Sequence, residues 1–201
     1  VETELVTNQV LADMIRPYGL DLSFDECVRI FSGRALDLIV KDLEKQTGRV
    51  VAADFVEEFR RITYEKFAED VETVPGIVEA LDYLDKIRVP YCVASSGPLN
   101  KIRLNLKTTN LLHYFKENIF SCYEINSWKP EPDIFLHAAK TMGFRPDECV
   151  VIEDSLPGVT AAKAGGFDVY ALENESNKTM LKGVDVNVVM DLSELDEIFK
   201  L

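Results

Sequence analysis

The sequence predicts an α/β protein: a doubly wound parallel sheet, with a small helical bundle placed before it. Two patterns carry this. From about Thr3 to Asp70 the apolar residues recur at helical spacing. From about Val74 short, wholly apolar runs alternate with helical stretches, as expected of parallel strands covered by helices on both faces. The length of 201 residues, with 47% hydrophobic and 28% charged, suffices for a full core arranged as one large domain or two small ones.

In the first region Leu36, Ile39, Val40 and Leu43 follow the i, i+3, i+4, i+7 pattern, and Phe55, Phe59 and Ile62 form a similar stripe. Gly19, Ser23, Gly33 and Gly48 punctuate what reads as a bundle of about four helices. In the second region Ile77, Ala80, Leu81 and Leu84 mark a helix, followed by a strand from Val89 to Ala94. A helix from Leu99 to Lys107 leads to a strand from Ile119 to Tyr123. Phe135, Ala138, Ala139 and Met142 mark the next helix, before a strand from Cys149 to Ile152. A helix from Leu156 to Ala164 and strands at Asp168–Ala171 and Val186–Met190 complete the pattern. The expected division is a hinge at 1–4, a helical cap at 5–72 and an α/β core at 73–201.

Composition narrows the function. The net charge is 22 − 35 = −13, so nucleic acid and anionic membranes are poor partners, and a site for an anion must carry its own local positive charge. No apolar run approaches the ~20 residues of a membrane span. Cys27, Cys92, Cys122 and Cys149 are scattered without a Cys-x-x-Cys, and three sit in apolar runs, which points to reduced core thiols and a cytoplasmic protein. A monomer or weak homodimer is expected.

In open parallel sheets ligands bind beyond the carboxyl ends of the strands, so the residues just after each strand matter most. After the first comes Ser95-Ser96-Gly97-Pro98, a hydroxyl and free backbone N–H groups opening a helix, suited to an anion. After the second comes Trp128-Lys129-Pro130-Glu131-Pro132-Asp133, a proline-stiffened loop carrying a lysine. After the third comes Glu153-Asp154-Ser155, two adjacent carboxylates that repel unless a cation or hydrogen bonds compensate them, and that suit Mg²⁺. Taken alone, each has a structural explanation: a helix N-cap for Ser95, an exposed turn for Lys129, an Asp cap with a solvated Glu for the acid pair. Their order, each at a strand end, points to phosphoryl chemistry.

These residues resemble the second, third and fourth motifs of the haloacid dehalogenase superfamily: Ser95 in Val-Ala-Ser-Ser-Gly, Lys129 in Lys-Pro-Glu-Pro-Asp-Ile-Phe, and Glu153-Asp154 in Val-Ile-Glu-Asp-Ser. Val74-Pro-Gly-Ile-Val-Glu-Ala-Leu resembles the segment that re-enters the core after the cap. The helical block is similar to the cap of the β-phosphoglucomutase-like subfamily, and Ser95 to Pro132 is similar to sugar-phosphate phosphatases of the 6-phosphogluconate phosphatase kind. The resemblance implies a Rossmann-like core and Mg²⁺-dependent hydrolysis of a small phosphorylated metabolite, a sugar phosphate such as 6-phosphogluconate. It implies that Ser95 and Ser96 bind the phosphoryl group, that Lys129 stabilises its charge, and that Asp154 with Glu153 holds Mg²⁺.

The family's first motif, Asp-x-Asp, supplies the attacking carboxylate and the proton-transfer group. Val1-Glu2-Thr3-Glu4 resembles the segment that follows that motif, so a strand bearing it is expected upstream of Val1. The cap's Phe31-Ser-Gly-Arg34 stands where related caps place a specificity loop; Gly33 and Arg34 are the substrate candidates there, Arg34 being either a carboxylate or phosphate partner or a plain surface arginine. His113 and His137 lie on helical stretches and read as structural. The alternatives are a phosphosugar mutase of the same subfamily and a non-catalytic phospholigand-binding protein; a metal-free dehalogenase has no need of the acid pair.

Overall fold

In the computed structural model residues 4–31, 36–174 and 177–195 are described, in two units, Val1–Glu72 and Thr73–Leu201. The helical spacing of the first unit produces α1 (Glu4–Ile15), α2 (Phe24–Phe31), α3 (Leu36–Thr47) and α4 (Phe55–Asp70). Residues one turn apart supply its core: Leu11 with Ile15, Ile39 with Leu43, and Phe55 with Phe59 are all buried. Ser23 starts α2 through a reciprocal cap, its Oγ accepting from Glu26 N while the Glu26 carboxylate accepts from Ser23 N at 2.9 Å.

The second unit begins with α5 (Ile77–Ile87), which buries Ala80, Leu81 and Leu84. Gly76 opens it at φ 75°, and a Cβ there would collide with the Asp191 side chain and Ser193 N, so only glycine lets this turn meet the C-terminal segment. Strands and helices then alternate: β1 (Val93–Ser95), α6 (Leu99–Thr108), α7 (Leu112–Phe115), β2 (Ile119–Ser121), α8 (Cys122–Ile125) and α9 (Asp133–Met142). They continue as β3 (Val150–Glu153), α10 (Leu156–Ala164), β4 (Asp168–Leu172), α11 (Lys178–Leu181) and β5 (Asn187–Val189).

Every pairing among the described strands is parallel. β1 lies beside β2, with Ser95 opposite Ser121; β3 lies beside β4 and β4 beside β5. This forms two sheets, so among the described residues one edge of β1 and one edge of β3 have no strand beside them. Burial reflects this: β2 is buried at every position, whereas β1 is only half-buried throughout. The main core joins β3 and β4 to α9 and α10 through Ile134, Phe135, Val151, Val159 and Val169.

Two strands are shorter than the apolar runs predict. Val89 N donates to Leu84 O, closing α5, and Pro90 has no N–H, so β1 starts only at Val93. β2 stops at Ser121 because its hydroxyl accepts from Tyr123 N and turns the chain into α8. Cys122 is therefore in a helical turn, Cys27 is in α2, and Cys92 and Cys149 each precede a strand, half-buried; all four are free thiols. No described helix is long and apolar enough to cross a membrane.

Candidate active site

The polar residues singled out in the α/β unit converge at the carboxyl ends of β1 and β3. Lys129 is the link. Its Nζ donates to the Glu153 carboxylate at 2.7 Å and to Ala94 O at 3.3 Å, so one ammonium reaches the ends of both sheets. The Lys129 and Glu153 side chains are each 9% exposed, and the ammonium sits 4.8 Å from the centre of the Phe135 ring. The exposed-turn explanation of Lys129 is thus replaced by a buried, partnered cation. The loop that delivers it is closed by Glu131 N on Trp128 O at 3.0 Å and by Ser127 Oγ on Asp133 at 2.6 Å. The N-cap position of α9 is Pro132, and Asp133 accepts from Ser127.

Ser95 ends β1. Its hydroxyl accepts from Gly97 N at 3.1 Å, and the N-cap position of α6 is Pro98, so Ser95 shapes the Ser95–Gly97 loop without capping the helix. Ser121 anchors the loop from β2: buried to 1% exposure, its hydroxyl donates to Gly97 O at 2.7 Å. Ser96 is exposed on the loop, and the Cys122 Sγ lies 3.9 Å from its Oγ. Burial raises the Cys122 thiol above its usual range despite Ser96 and Lys129 nearby, which keeps it protonated and unsuited to nucleophilic attack.

At the end of β3 the two acids differ. Glu153 is buried, with Lys129 on one carboxylate oxygen and the Ser155 hydroxyl on the other at 2.7 Å. Ser155, not Asp154, caps α10, accepting from Gly158 N at 3.1 Å. A Cβ on Gly158 would run into the Glu153 carboxyl group, so the glycine makes room for the acid. Asp154 is exposed, and its carbonyl accepts from Asn177 Nδ2 at 2.7 Å; the same amide donates to Leu172 O at 2.8 Å, tying the ends of β3 and β4 together. Hard carboxylate oxygens on adjacent residues are the donors Mg²⁺ takes in ones and twos, with water and phosphate around it. Among the described residues no group of three or more His, Cys, Asp and Glu gathers into a fuller cage. The donor set fits that cation in its sparse, substrate-completed form.

Three neighbours have no motif to announce them. Ser121 and Asn177 each donate to a main-chain carbonyl across sequence separations of 24 and 23 residues. Lys101, in the first turn of α6, runs beside Gly97, and burial lowers its ammonium to about 8. Its helical spacing from the Ser95 loop was the available signal. Gly33 and Arg34 lie outside the described residues. His113 lies tilted against Tyr114, ring centroids 4.2 Å apart, and His137 meets Phe120 edge-on at 5.6 Å.

Residues 9–166 match the haloacid dehalogenase-like hydrolase family. The 6-phosphogluconate phosphatase of Escherichia coli K12 is 29% identical over 201 residues, spanning all of this chain and 90% of its own length. Among solved structures, a conserved haloacid dehalogenase-like protein from Agrobacterium tumefaciens superposes with a TM-score of 0.82 at 24% identity, covering 98% of this chain and 90% of that one. A putative β-phosphoglucomutase from Thermotoga maritima superposes at 0.75 and 23% identity, covering 98% and 92%. A family match over most of the sequence, on a parallel α/β core whose strand ends hold the serine, the lysine and the acid pair, leads to one assignment: the chain belongs to the haloacid dehalogenase-like hydrolases.

Proposed function

We propose that this hydrolase releases phosphate from a small phosphorylated carbohydrate. The observation that supports it most is the buried Lys129 ammonium, hydrogen-bonded to the ends of both sheets beside the Ser95 loop. An acidic chain has little reason to bury a lysine there unless an anion is to be neutralised in place. The phosphatase named above, which shares 29% identity over the whole chain, makes 6-phosphogluconate the first substrate to test.

In this reading the Ser95 hydroxyl and the loop N–H groups donate to phosphoryl oxygens, and Lys129 offsets the charge that builds on them in the transition state. Glu153 fixes the Lys129 ammonium, while Ser155 and Gly158 fix Glu153. Asp154, held by Asn177 through its carbonyl, and Glu153 would hold Mg²⁺. When bound, that cation supplies charge neutralisation and orientation of the phosphoryl group. Attack on phosphorus is assigned to the aspartate of the family's first motif.

The test is phosphate release from 6-phosphogluconate, glucose 6-phosphate and β-glucose 1-phosphate with MgCl₂, then with EDTA, for the natural protein and for Lys129→Met and Asp154→Asn. Release that depends on MgCl₂ and is lost in both variants is expected. Glucose 6-phosphate formed from β-glucose 1-phosphate would assign a mutase instead, and binding without turnover a phospholigand-binding protein.

A further inference from the structure

The chain's single tryptophan, Trp128, is outside every core cluster, and so is Tyr123. Their rings meet edge-to-face with centroids 5.4 Å apart at 81°, and the residues remain 40% and 49% exposed. One exposed aromatic needs no explanation; two held against each other beside a catalytic cation do.

The backbone under both rings is fixed and continuous with the site. Tyr123 N donates to Ser121 Oγ, and that hydroxyl donates to Gly97 O of the Ser95 loop. Trp128 precedes Lys129 directly, and its carbonyl accepts from Glu131 N. Between them the segment is closed by Ser127 N on Cys122 O at 3.3 Å. The two rings thus flank the segment whose ends lead to the phosphoryl-binding loop and to the lysine. Rings held this way lose little freedom on binding, and their faces attract C–H groups while Trp N–H and Tyr O–H offer hydrogen bonds to hydroxyls. The rings themselves carry no charge, which suits the hydroxylated stretch of an anionic substrate between its charged ends.

We infer that the Tyr123–Trp128 pair receives the hydroxylated carbon chain of the substrate whose phosphoryl group lies at Ser95 and Lys129. This rests on the phosphatase reading and adds the residues that distinguish a carbohydrate phosphate from a bare one.

Trp128 fluorescence provides the test, with Trp128→Phe to identify the signal. Titration with 6-phosphogluconate is expected to shift the emission saturably, whereas inorganic phosphate leaves it unchanged. Trp128→Ala is expected to raise KM for 6-phosphogluconate roughly tenfold with kcat preserved, and Trp128→Phe to recover most of that loss. An emission response to inorganic phosphate equal to that of 6-phosphogluconate overturns the inference, as does an unchanged KM in a folded Trp128→Ala. If no substrate releases phosphate yet the emission still responds to 6-phosphogluconate alone, the phosphatase reading falls and the ring pair's role stands.

Discussion

Two sets of ion pairs in this protein have nearly the same length and different surroundings. Lys129 reaches Glu153 at 2.7 Å with both side chains 9% exposed. Arg61 on α4 reaches Glu58 at 2.6 Å and Glu65 at 2.7 Å with its side chain 53% exposed. Distance alone would rank them equal. Water decides otherwise: around Arg61 it screens each charge, whereas at the carboxyl ends of β1 and β3 its removal makes each charge depend on its partner. In the proposed phosphatase reading the buried pair would meet an incoming anion already desolvated.

The largest effect should come from breaking the buried pair on one side. Glu153→Ala leaves a buried ammonium without its carboxylate and is expected to cost about 3–5 kcal/mol in denaturant unfolding, along with phosphate release. Lys129→Met with Glu153→Leu removes both charges and should recover most of the stability while activity stays lost. If the single and double variants were equally unstable, packing rather than charge would be what Glu153 provides there.

Next is the space that Glu153 occupies. Gly158→Ala sets a methyl group against the carboxyl at the start of α10. Relaxation must move Glu153 or the helix, for an expected loss of about 1–3 kcal/mol. Because Glu153 carries Lys129, kcat should fall even where the variant is folded. A variant of ordinary kcat would mean that Lys129 holds its position through Ala94 O alone.

Much of this was legible in the sequence because the relevant signals are local. Helical spacing marks α3, α5 and α9, and apolar runs mark β3 and β4, since each is written within about ten residues. Ser95 and Glu153 stand out because the fold places ligands at strand ends, where a polar residue interrupts an apolar run, whereas Lys129 follows α8 and is marked by the prolines of its loop. What distinguishes Glu153 from Asp154 is different: the burial of one and the exposure of the other follow from Lys129 and Ser155, and nothing in the dipeptide shows it. Ser121 and Asn177 escape notice for the same reason, as each acts across more than twenty residues on a main-chain carbonyl. The strand ends at Val93 and Ser121 were missed because Val89 N–H and Ser121 Oγ make bonds that hydrophobicity does not encode.

Lys101 tests the comparison from the other direction. Burial lowers its ammonium from the usual 10.5 to about 8. The folded protein then holds this proton more weakly than the unfolded chain, so below pH 8 its charge opposes folding, and stability climbs from pH 8 to 10.5 as the unfolded chain retains a proton the folded one has shed. Lys101→Met should stabilise the protein at pH 7, with the gain fading as pH rises toward 10.5. Denaturation midpoints across that range check it. A gain independent of pH would assign the effect to packing.

The smallest effect is expected at Arg61, which makes three hydrogen bonds to two carboxylates. Glu58 accepts from its Nε and Nη2 and Glu65 from its Nη1, and the hydrogen bonds from Arg61 hold the Glu58 carboxyl below its usual range. All three side chains are more than two-fifths exposed, so the unfolded chain solvates them nearly as well. Arg61→Ala should leave the denaturation midpoint unchanged at physiological salt and lower it only slightly at low salt, where screening weakens. Loss of the Glu58 proton is favoured by folding here, so whatever stability the contact contributes is present above the unfolded carboxyl pKa and is lost as pH falls through the lowered folded one. A drop at neutral pH and ordinary salt comparable to that of Glu153→Ala would show that multiplicity of contacts, rather than burial, sets the strength of an ion pair in this protein.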